Sequence, residues 1–310
     1  MPRILITGIG GFVGTHLAKS LLVNDHSVGG LLFPGESTKQ LEPFLNKLTL
    51  FQGDITQKDA VKAVLGDFQP EVIFHLAALA PVSQSFSDPI RYQQVNYEGT
   101  ILVAEIARYL SLPLENFVFA SSSEIYGPQT KKSLFRESDL PQPNNPYAIS
   151  KFAAEKYLQM LKRVNDFPMV ILRFCNTYGR KSGLYVVEYF IKQALKGERI
   201  VVKSPNSFRD FLHIHDHTKA YSALLKEPLS DLYNIGTGNP ISMISLANKI
   251  VSLLDSDSEV VIDTASEKGQ RSPEYISLDS QKARQELKWK PKITLEEGIQ
   301  LTAEKISCLE

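Results

Sequence analysis

Tyr147 and Lys151 stand four residues apart, a spacing that puts both side chains on one face of a helix. A phenol is a poor acid–base group at its ordinary pKa of about 10. A neighbouring ammonium favours the phenolate and brings that proton within reach of working pH. The same ammonium can hold a ribose hydroxyl. Upstream, the apolar run Phe117-Val118-Phe119-Ala120 ends in the hydroxyls Ser121, Ser122 and Ser123. A serine at the carboxyl end of a strand, here Ser122, can hydrogen-bond a carbonyl or sugar oxygen as charge develops on it. Each feature alone has an ordinary explanation. Tyrosine packs and lysine is solvated on many amphipathic helices, and serine-rich loops cap helices. All three in one chain, behind a glycine-rich turn near the N-terminus, point to acid–base chemistry.

That turn is Gly8-Ile9-Gly10-Gly11-Phe12-Val13-Gly14, between an apolar run at 3–7 and a run of helical spacing at 15–23. Gly8 admits a tight turn, a glycine without Cβ lets backbone N–H groups approach a pyrophosphate, and Gly14 lets the helix pack close to the sheet. The helix N-terminus adds partial positive charge. In this strand–turn–helix context the pattern predicts a dinucleotide site. The second strand, 28–33, runs out into Pro34-Gly35. It offers no acidic residue where one would clasp the ribose 2′-hydroxyl of NAD, and no arginine for the 2′-phosphate of NADP. Glu36 and Lys39 follow without an assigned place, and the missing acid favours NADP over NAD.

Strand-like runs at 3–7, 28–33, 48–51, 71–75, 117–120 and 169–174 alternate with helix-like stretches at 15–23, 58–65, 90–110 and 147–164. The alternation predicts an α/β fold, a doubly wound parallel sheet of the Rossmann type. After about residue 175 the segments shorten, and helices at 246–254 and 278–287 lead. The expected division is a dinucleotide-binding domain over 1–175 and a smaller C-terminal substrate lobe over 176–310, with 200–215 able to return to the sheet. Lys+Arg and Asp+Glu both number 34, which favours neither nucleic acid nor an anionic membrane as partner. The two cysteines, Cys175 and Cys308, are far apart and exclude a disulfide framework. No apolar run reaches the ~18 residues of a membrane span, and the N-terminus lacks a signal-peptide layout. A cytoplasmic protein is expected. His213, His215 and His217 alternate, but no thiol or carboxylate cluster joins them, and no metal site is expected. The helices at 90–110 and 147–164 are apolar enough to pack against a second copy in a homodimer.

Ile6-Thr7-Gly8 with its Gly-x-x-Gly-x-x-Gly turn, His75-Leu76-Ala77-Ala78, Asn145-Pro146-Tyr147, Arg209-Asp210-Phe211, Tyr233-Asn234-Ile235-Gly236 and Trp289-Lys290-Pro291 together resemble the extended branch of the short-chain dehydrogenase/reductase family. The likeness runs over nearly the whole chain. It implies an NAD(P)-dependent enzyme acting on a nucleotide-diphosphate sugar, with Ser122, Tyr147 and Lys151 catalytic. It implies that Gly8, Gly11, Phe12, Val13, Gly14, Asp54, Ile55, Leu76, Ala77, Ala78 and Asn96 hold the dinucleotide beside Tyr147 and Lys151, with Asp54 at the adenine. Asn96 matches the family asparagine that orders the active-site helix. Asn176, Arg209 and Arg271 match the residues at the substrate diphosphate, where arginine's forked donors suit phosphate. Ser123 falls beside the substrate.

The run Ser122-Ser123-Glu124 resembles the trio of the 4,6-dehydratases, which usually have threonine first and use the glutamate to remove the C5 proton. It also resembles some GDP-4-keto-6-deoxy-mannose reductases, and a length of 310 residues favours reductases or epimerases. The segment Cys175-Asn176-Thr177-Tyr178-Gly179-Arg180-Lys181 departs from the reductases' usual pattern and leaves sugar and base open. The expectation is reduction of a GDP-4-keto-6-deoxy sugar at C4, with Tyr147 as acid and Glu124 as a hydroxyl ligand. The alternatives are a 4,6-dehydratase with Glu124 as base, a 4-epimerase, and a sensor or scaffold that binds NAD(P) without turnover.

Overall fold

Apart from the edge strand at Leu48–Gln52, the apolar runs of the first half become strands buried on both faces, and the intervening stretches become the helices that cover them. The computed structural model describes residues 1–127, 129, 131–181, 185–226, 229, 231–263 and 275–308. In chain order its elements are β1 (Arg3–Thr7), α1 (Phe12–Leu22), β2 (Ser27–Leu32), β3 (Leu48–Gln52), α2 (Lys58–Phe68), β4 (Val72–His75), α3 (Val82–Ser85), α4 (Pro89–Gln93), α5 (Gly99–Tyr109), β5 (Asn116–Ser122), α6 (Pro146–Asn165) and β6 (Met169–Phe174). They continue with β7 (Asn176–Tyr178), α7 (Val186–Leu195), β8 (Ile200–Val202), β9 (Phe208–Arg209), β10 (Phe211–His213), α8 (Ile214–Ala223), β11 (Leu232–Ile235), β12 (Ile241–Ser242), α9 (Met243–Leu253), β13 (Val260–Ile262), β14 (Tyr275–Ile276), α10 (Gln281–Glu286) and α11 (Leu295–Ser307). Among the described residues, no helix is long and apolar enough to cross a membrane.

Two units divide the chain. Met1–Ile125, Pro143–Arg173 and Thr218–Tyr233 form the first; Tyr126–Gln142, Phe174–His217 and Asn234–Glu310 form the second. The first carries the seven-stranded sheet, in the order β11-β6-β5-β4-β1-β2-β3. β1 pairs in parallel with both β2 and β4, β2 with β3, and β4 with β5. Strand order reverses at β1, and doubly wound sheets bind ligands beyond the carboxyl ends of their strands at such a point. Leu5, Ile73, Phe117, Phe119 and Ile171 pack into one core layer with residues of α2, α5 and α6. Their alternate neighbours Ile4, Ile6, Phe74, Val118, Val170 and Leu172 are equally buried, so both faces of the sheet are covered.

The stretch 90–110 departs from the single helix expected. It breaks into α4, a π-helical turn at Gln94–Glu98, and α5. One widened turn re-aims the side chains inside it, here the fully buried Asn96. The stretch 200–215 does not enter the large sheet. In the second unit β8 pairs with β13, β9 with β12 and β14, and β10 with β7. A separate core there gathers Tyr178, Phe190, Ile191, Leu246, Ile250 and Ile299 from β7, α7, α9 and α11.

A buried ion pair joins α6 to the sheet. Arg173 of β6 donates through Nε and Nη2 to the two carboxylate oxygens of Glu155, at 3.0 and 2.7 Å. Ser121 of β5 donates to the same carboxylate at 2.5 Å. Glu155 is 0% and Arg173 3% exposed. Removing one member of a buried pair strands the other charge without solvent, which costs about 3–5 kcal/mol. Arg173→Met should therefore lower the urea unfolding free energy by that amount. The double replacement Glu155→Met/Arg173→Met should recover most of it. A loss under about 1 kcal/mol for the single variant would show that the pair does not hold the helix.

Candidate active site

The glycine turn is shaped by what lies against it. Gly8 has φ +70°, and a Cβ there would come within 2.9 Å of the Ala77 backbone. A Cβ on Gly14 would stand 2.3 Å from the Gly8 carbonyl oxygen. Gly8 N–H donates to the Leu31 carbonyl at 3.0 Å, which ties the turn to β2. Gly11 caps α1 in an extended conformation with no side chain on the first helical amides. The start of a helix carries partial positive charge that favours an anion. Phe12, Val13 and the loop residues Leu76, Ala77 and Ala78 are half-buried around the turn, and Ile55 is buried. Close backbone approach at the start of a helix fits the pyrophosphate of a dinucleotide.

A neutral histidine fixes the loop after β4. Thr100 gives its hydroxyl proton to the Asn96 carbonyl at 2.7 Å, so its oxygen accepts from His75 Nε2 at 3.0 Å. His75 Nδ1 is then the acceptor for the Thr7 hydroxyl at 2.9 Å, and the Thr7 oxygen receives the Ala77 N–H at 3.2 Å. Burial draws the His75 ring down to about 3, helped by the charge of Lys151, and keeps this tautomer uncharged. Asp54, expected at the adenine, accepts from Thr56 N–H at 2.9 Å and from Arg91 at 3.3 Å. It therefore also closes the turn before α2.

The catalytic candidates gather where β5 meets α6. Asn145 caps α6 by accepting from Ala148 N–H at 2.8 Å, and its Nδ2 donates to Glu124 Oε2 at 3.3 Å. Ser122 lies at the end of β5 and its Oγ accepts the Glu124 N–H at 3.2 Å. Tyr147, on the first turn of α6, is half-buried, edge-on to Tyr92 with ring centroids 6.4 Å apart. One turn on, Lys151 is 3% exposed and donates to the Ala120 carbonyl at 2.9 Å. Its ammonium lies 4.8 Å from the Phe119 ring centre. Burial draws Lys151 down to about 7, against the opposing pull of Glu155. Asn96 is 0% exposed; its amide accepts from Leu79 N–H and donates to the Leu79 carbonyl and to Ser150 Oγ, at 2.8, 3.0 and 3.0 Å. Through Ser150 it braces α6 from inside. Ser123, expected beside substrate, is 2% exposed and also faces inward.

In the second unit Asn176 opens β7 and is half-buried. Arg209 is 8% exposed and its Nη1 donates to Ser207 Oγ at 2.6 Å and to the Phe208 carbonyl at 2.9 Å. Arg271 lies outside the described residues. His213 ends β10 while His215 and His217 belong to α8, so the three do not share a strand face. Burial pushes the Cys175 thiol up, with the charge of Asp210 adding, which leaves it without nucleophilic character.

Three residues of consequence went unassigned in the sequence. Glu155 follows Lys151 by one helical turn and was open to the same spacing argument. Asn145 carried a capping signal before Pro146. Asp210 had no local signal. It is fully buried and accepts from the backbone of Thr237 at 3.1 Å and Gly238 at 3.0 Å, from Ser277 Oγ at 3.2 Å, and from the Thr237 hydroxyl.

Comparison with known proteins identifies the family. The family model of GDP-mannose 4,6 dehydratase matches residues 5–302. A dTDP-D-glucose 4,6-dehydratase of Mus musculus is 32% identical over 316 aligned positions, spanning 97% of this chain and 88% of that protein. Among solved structures, the UDP-glucose 4-epimerase of Thermotoga maritima with UDP-glucose superposes with a TM-score of 0.91 at 28% identity, over 99% of this chain and 100% of that one. The UDP-glucose 4-epimerase of Thermus thermophilus in complex with NAD gives 0.88 at 28% identity, over 98% and 99% of the two chains. With the Rossmann sheet, the glycine turn and the serine, tyrosine and lysine at the β5–α6 junction, the chain belongs to the extended short-chain dehydrogenase/reductase family, among its NAD-dependent nucleotide-sugar epimerases and dehydratases.

Proposed function

We propose that the chain is a nucleotide-sugar 4,6-dehydratase, which oxidises C4 of a hexose and eliminates water before the hydride is given back. Glu124 carries this reading. It is half-buried, follows Ser122 by two residues, and its carboxylate is held by the cap of the helix that bears Tyr147. A carboxylate fixed beside one acid–base group is suited to moving a second proton. A bound dinucleotide supplies hydride uptake from C4 and its return.

In this reading the turn at 8–14, Asp54, Ile55 and the loop at 76–78 hold the dinucleotide. Asn176 and Arg209 take the diphosphate, with Arg271 expected beside them. Tyr147 Oη removes the C4 hydroxyl proton while Ser122 Oγ hydrogen-bonds that oxygen. Lys151 favours the phenolate electrostatically and takes a ribose hydroxyl. Glu124 then removes the C5 proton, made acidic by the adjacent ketone. The freed electron pair expels the C6 oxygen, which leaves as water with the proton from Glu124. Return of the hydride to C6 is completed by a proton at C5, which balances the one that Tyr147 took from the C4 hydroxyl. A reductase acting on a 4-keto sugar is the second reading, favoured by serine rather than threonine at 122. There Tyr147 donates its proton to the forming alkoxide.

The readings separate on substrates. Incubation with GDP-mannose, dTDP-glucose or UDP-glucose should yield a 4-keto-6-deoxy sugar, seen by NMR as a new methyl group, without net consumption of cofactor. NADPH loss only with a 4-keto sugar would replace the dehydratase by the reductase. Inversion at C4 with C6 intact would replace it by an epimerase. Tyr147→Phe should lower turnover by about 10²–10⁴ in any of these enzymes, with dinucleotide affinity kept. Dinucleotide binding by the wild type with no turnover of any of these substrates would instead identify a sensor.

Lys151→Met tests the buried ammonium. Its folded value, about 7, lies below the 10.5 of an ordinary lysine. Its cost to stability is thus present in full below pH 7 and fades as pH rises towards 10.5. The wild type should gain on Lys151→Met by up to about 1.4 kcal/mol per pH unit across that window, measured by urea unfolding between pH 7 and 9. Turnover should fall sharply in the same variant. A stability difference flat with pH would mean that the ammonium is not depressed.

The exposed apolar side chains Ile149 and Val164 on α6 and Tyr109 at the end of α5 support pairing of two copies. Light scattering should give twice the mass of one chain, and a monomer at micromolar concentration would refute the pairing.

A further inference from the structure

The second strand ends without the acid that clasps a ribose hydroxyl, yet a carboxylate returns to that place by another route. After β2 the chain passes Phe33 and Pro34 into Gly35, which has φ +82°. Glu36 N–H then donates back to the Phe33 carbonyl at 3.0 Å. This tight turn folds the Glu36 side chain onto the end of the strand, where its Oε2 accepts the Phe33 N–H at 3.2 Å. The carboxyl also lies over the glycine turn. A Cβ on Gly10 would stand 2.6 Å from Glu36 Cδ and 2.9 Å from Cγ. The absence of a side chain at Gly10 is what makes room for it.

The carboxylate thus stands where the carboxyl end of β2 meets the glycine turn. A dinucleotide whose pyrophosphate sits on that turn brings its adenosine ribose to the end of this strand. A carboxylate there accepts from a 2′-hydroxyl and repels a 2′-phosphate, which carries nearly two negative charges. The cation nearest in sequence is Lys39, which is exposed, and no arginine occurs between residues 27 and 52.

We propose that Glu36 is the residue that selects NAD over NADP in this chain. The proposal rests on the dinucleotide-binding reading above and reverses the preference expected from the missing acid at the strand end. Binding of NADH and NADPH to the full chain, followed by nucleotide fluorescence or calorimetry, tests it without turnover. The wild type should bind NADH at least about tenfold more tightly than NADPH, the scale of one charge-assisted hydrogen bond. Glu36→Gln keeps the shape and removes the charge, and should bring the two affinities to within about threefold. Gly10→Ala leaves Glu36 in place but pushes its carboxyl away, and should erode the ratio in the same direction. A wild type that prefers NADPH, or a ratio unchanged in Glu36→Gln while both nucleotides still bind, would overturn the selectivity proposal alone. A wild type that binds neither nucleotide would overturn the functional reading, and this proposal with it.

Discussion

An ammonium taken out of water loses solvation worth several kcal/mol unless other groups replace it. Lys151 is in that position, and its surroundings answer the need in parts. The Ala120 carbonyl accepts one hydrogen bond from it and the face of Phe119 lies against the charge. Glu155, one helical turn on, supplies negative charge but would itself be stranded without Arg173 and Ser121. The next strand contributes by staying neutral. A charged His75 would face Lys151 through buried protein, so burial and that repulsion together hold the ring uncharged. The uncharged ring is then free to link Thr7 and Thr100, and through Thr7 it places the Ala77 amide against the glycine turn. One buried cation therefore constrains both the catalytic corner and the dinucleotide cradle.

Much of the first unit was legible in the sequence because its sheet is covered on both faces. Such strands are near-continuous apolar runs, and β1 and β6 were bounded to the residue. The tyrosine–lysine spacing was legible because it depends on helical geometry alone. The π-helical turn was not, since Gln94–Glu98 keeps an ordinary helical pattern of buried and exposed residues. Glu36 was seen but left without a place because its position depends on a turn, and a turn can return a side chain to a point several residues upstream. Asp210 was hidden for a related reason. Its partners Thr237, Gly238 and Ser277 are distant in sequence, and each is a common loop residue.

The second unit rests on short strands and long-range polar contacts rather than on a broad sheet. Asp210 draws the loop at 237–238 and the residues after β14 to one carboxylate. Trp289 Nε1 donates to the Asp216 carbonyl at 3.0 Å, and the Asp216 carboxylate takes the N–H groups of Lys292 and Ile293 at 2.8 Å each. Both aspartates act as acceptors for otherwise orphaned backbone donors. Composition and periodicity carry little trace of such contacts, which is why this half read only as shorter segments and frequent turns.

The interleaving of the two units bears on how the polypeptide is made. The large sheet takes its outermost strand, β11, from residues 232–235, long after β6 has been synthesised. Its first strands can pair early on the ribosome, but the β6 side stays an open edge while nearly sixty intervening residues emerge. Over that interval Val170, Ile171 and Leu172 present a strand edge able to pair with another nascent chain. Closure depends on contacts distant in sequence, a topology that folds slowly. The growing chain is thus most prone to mispairing in the middle of its synthesis, between the emergence of β6 and that of β11.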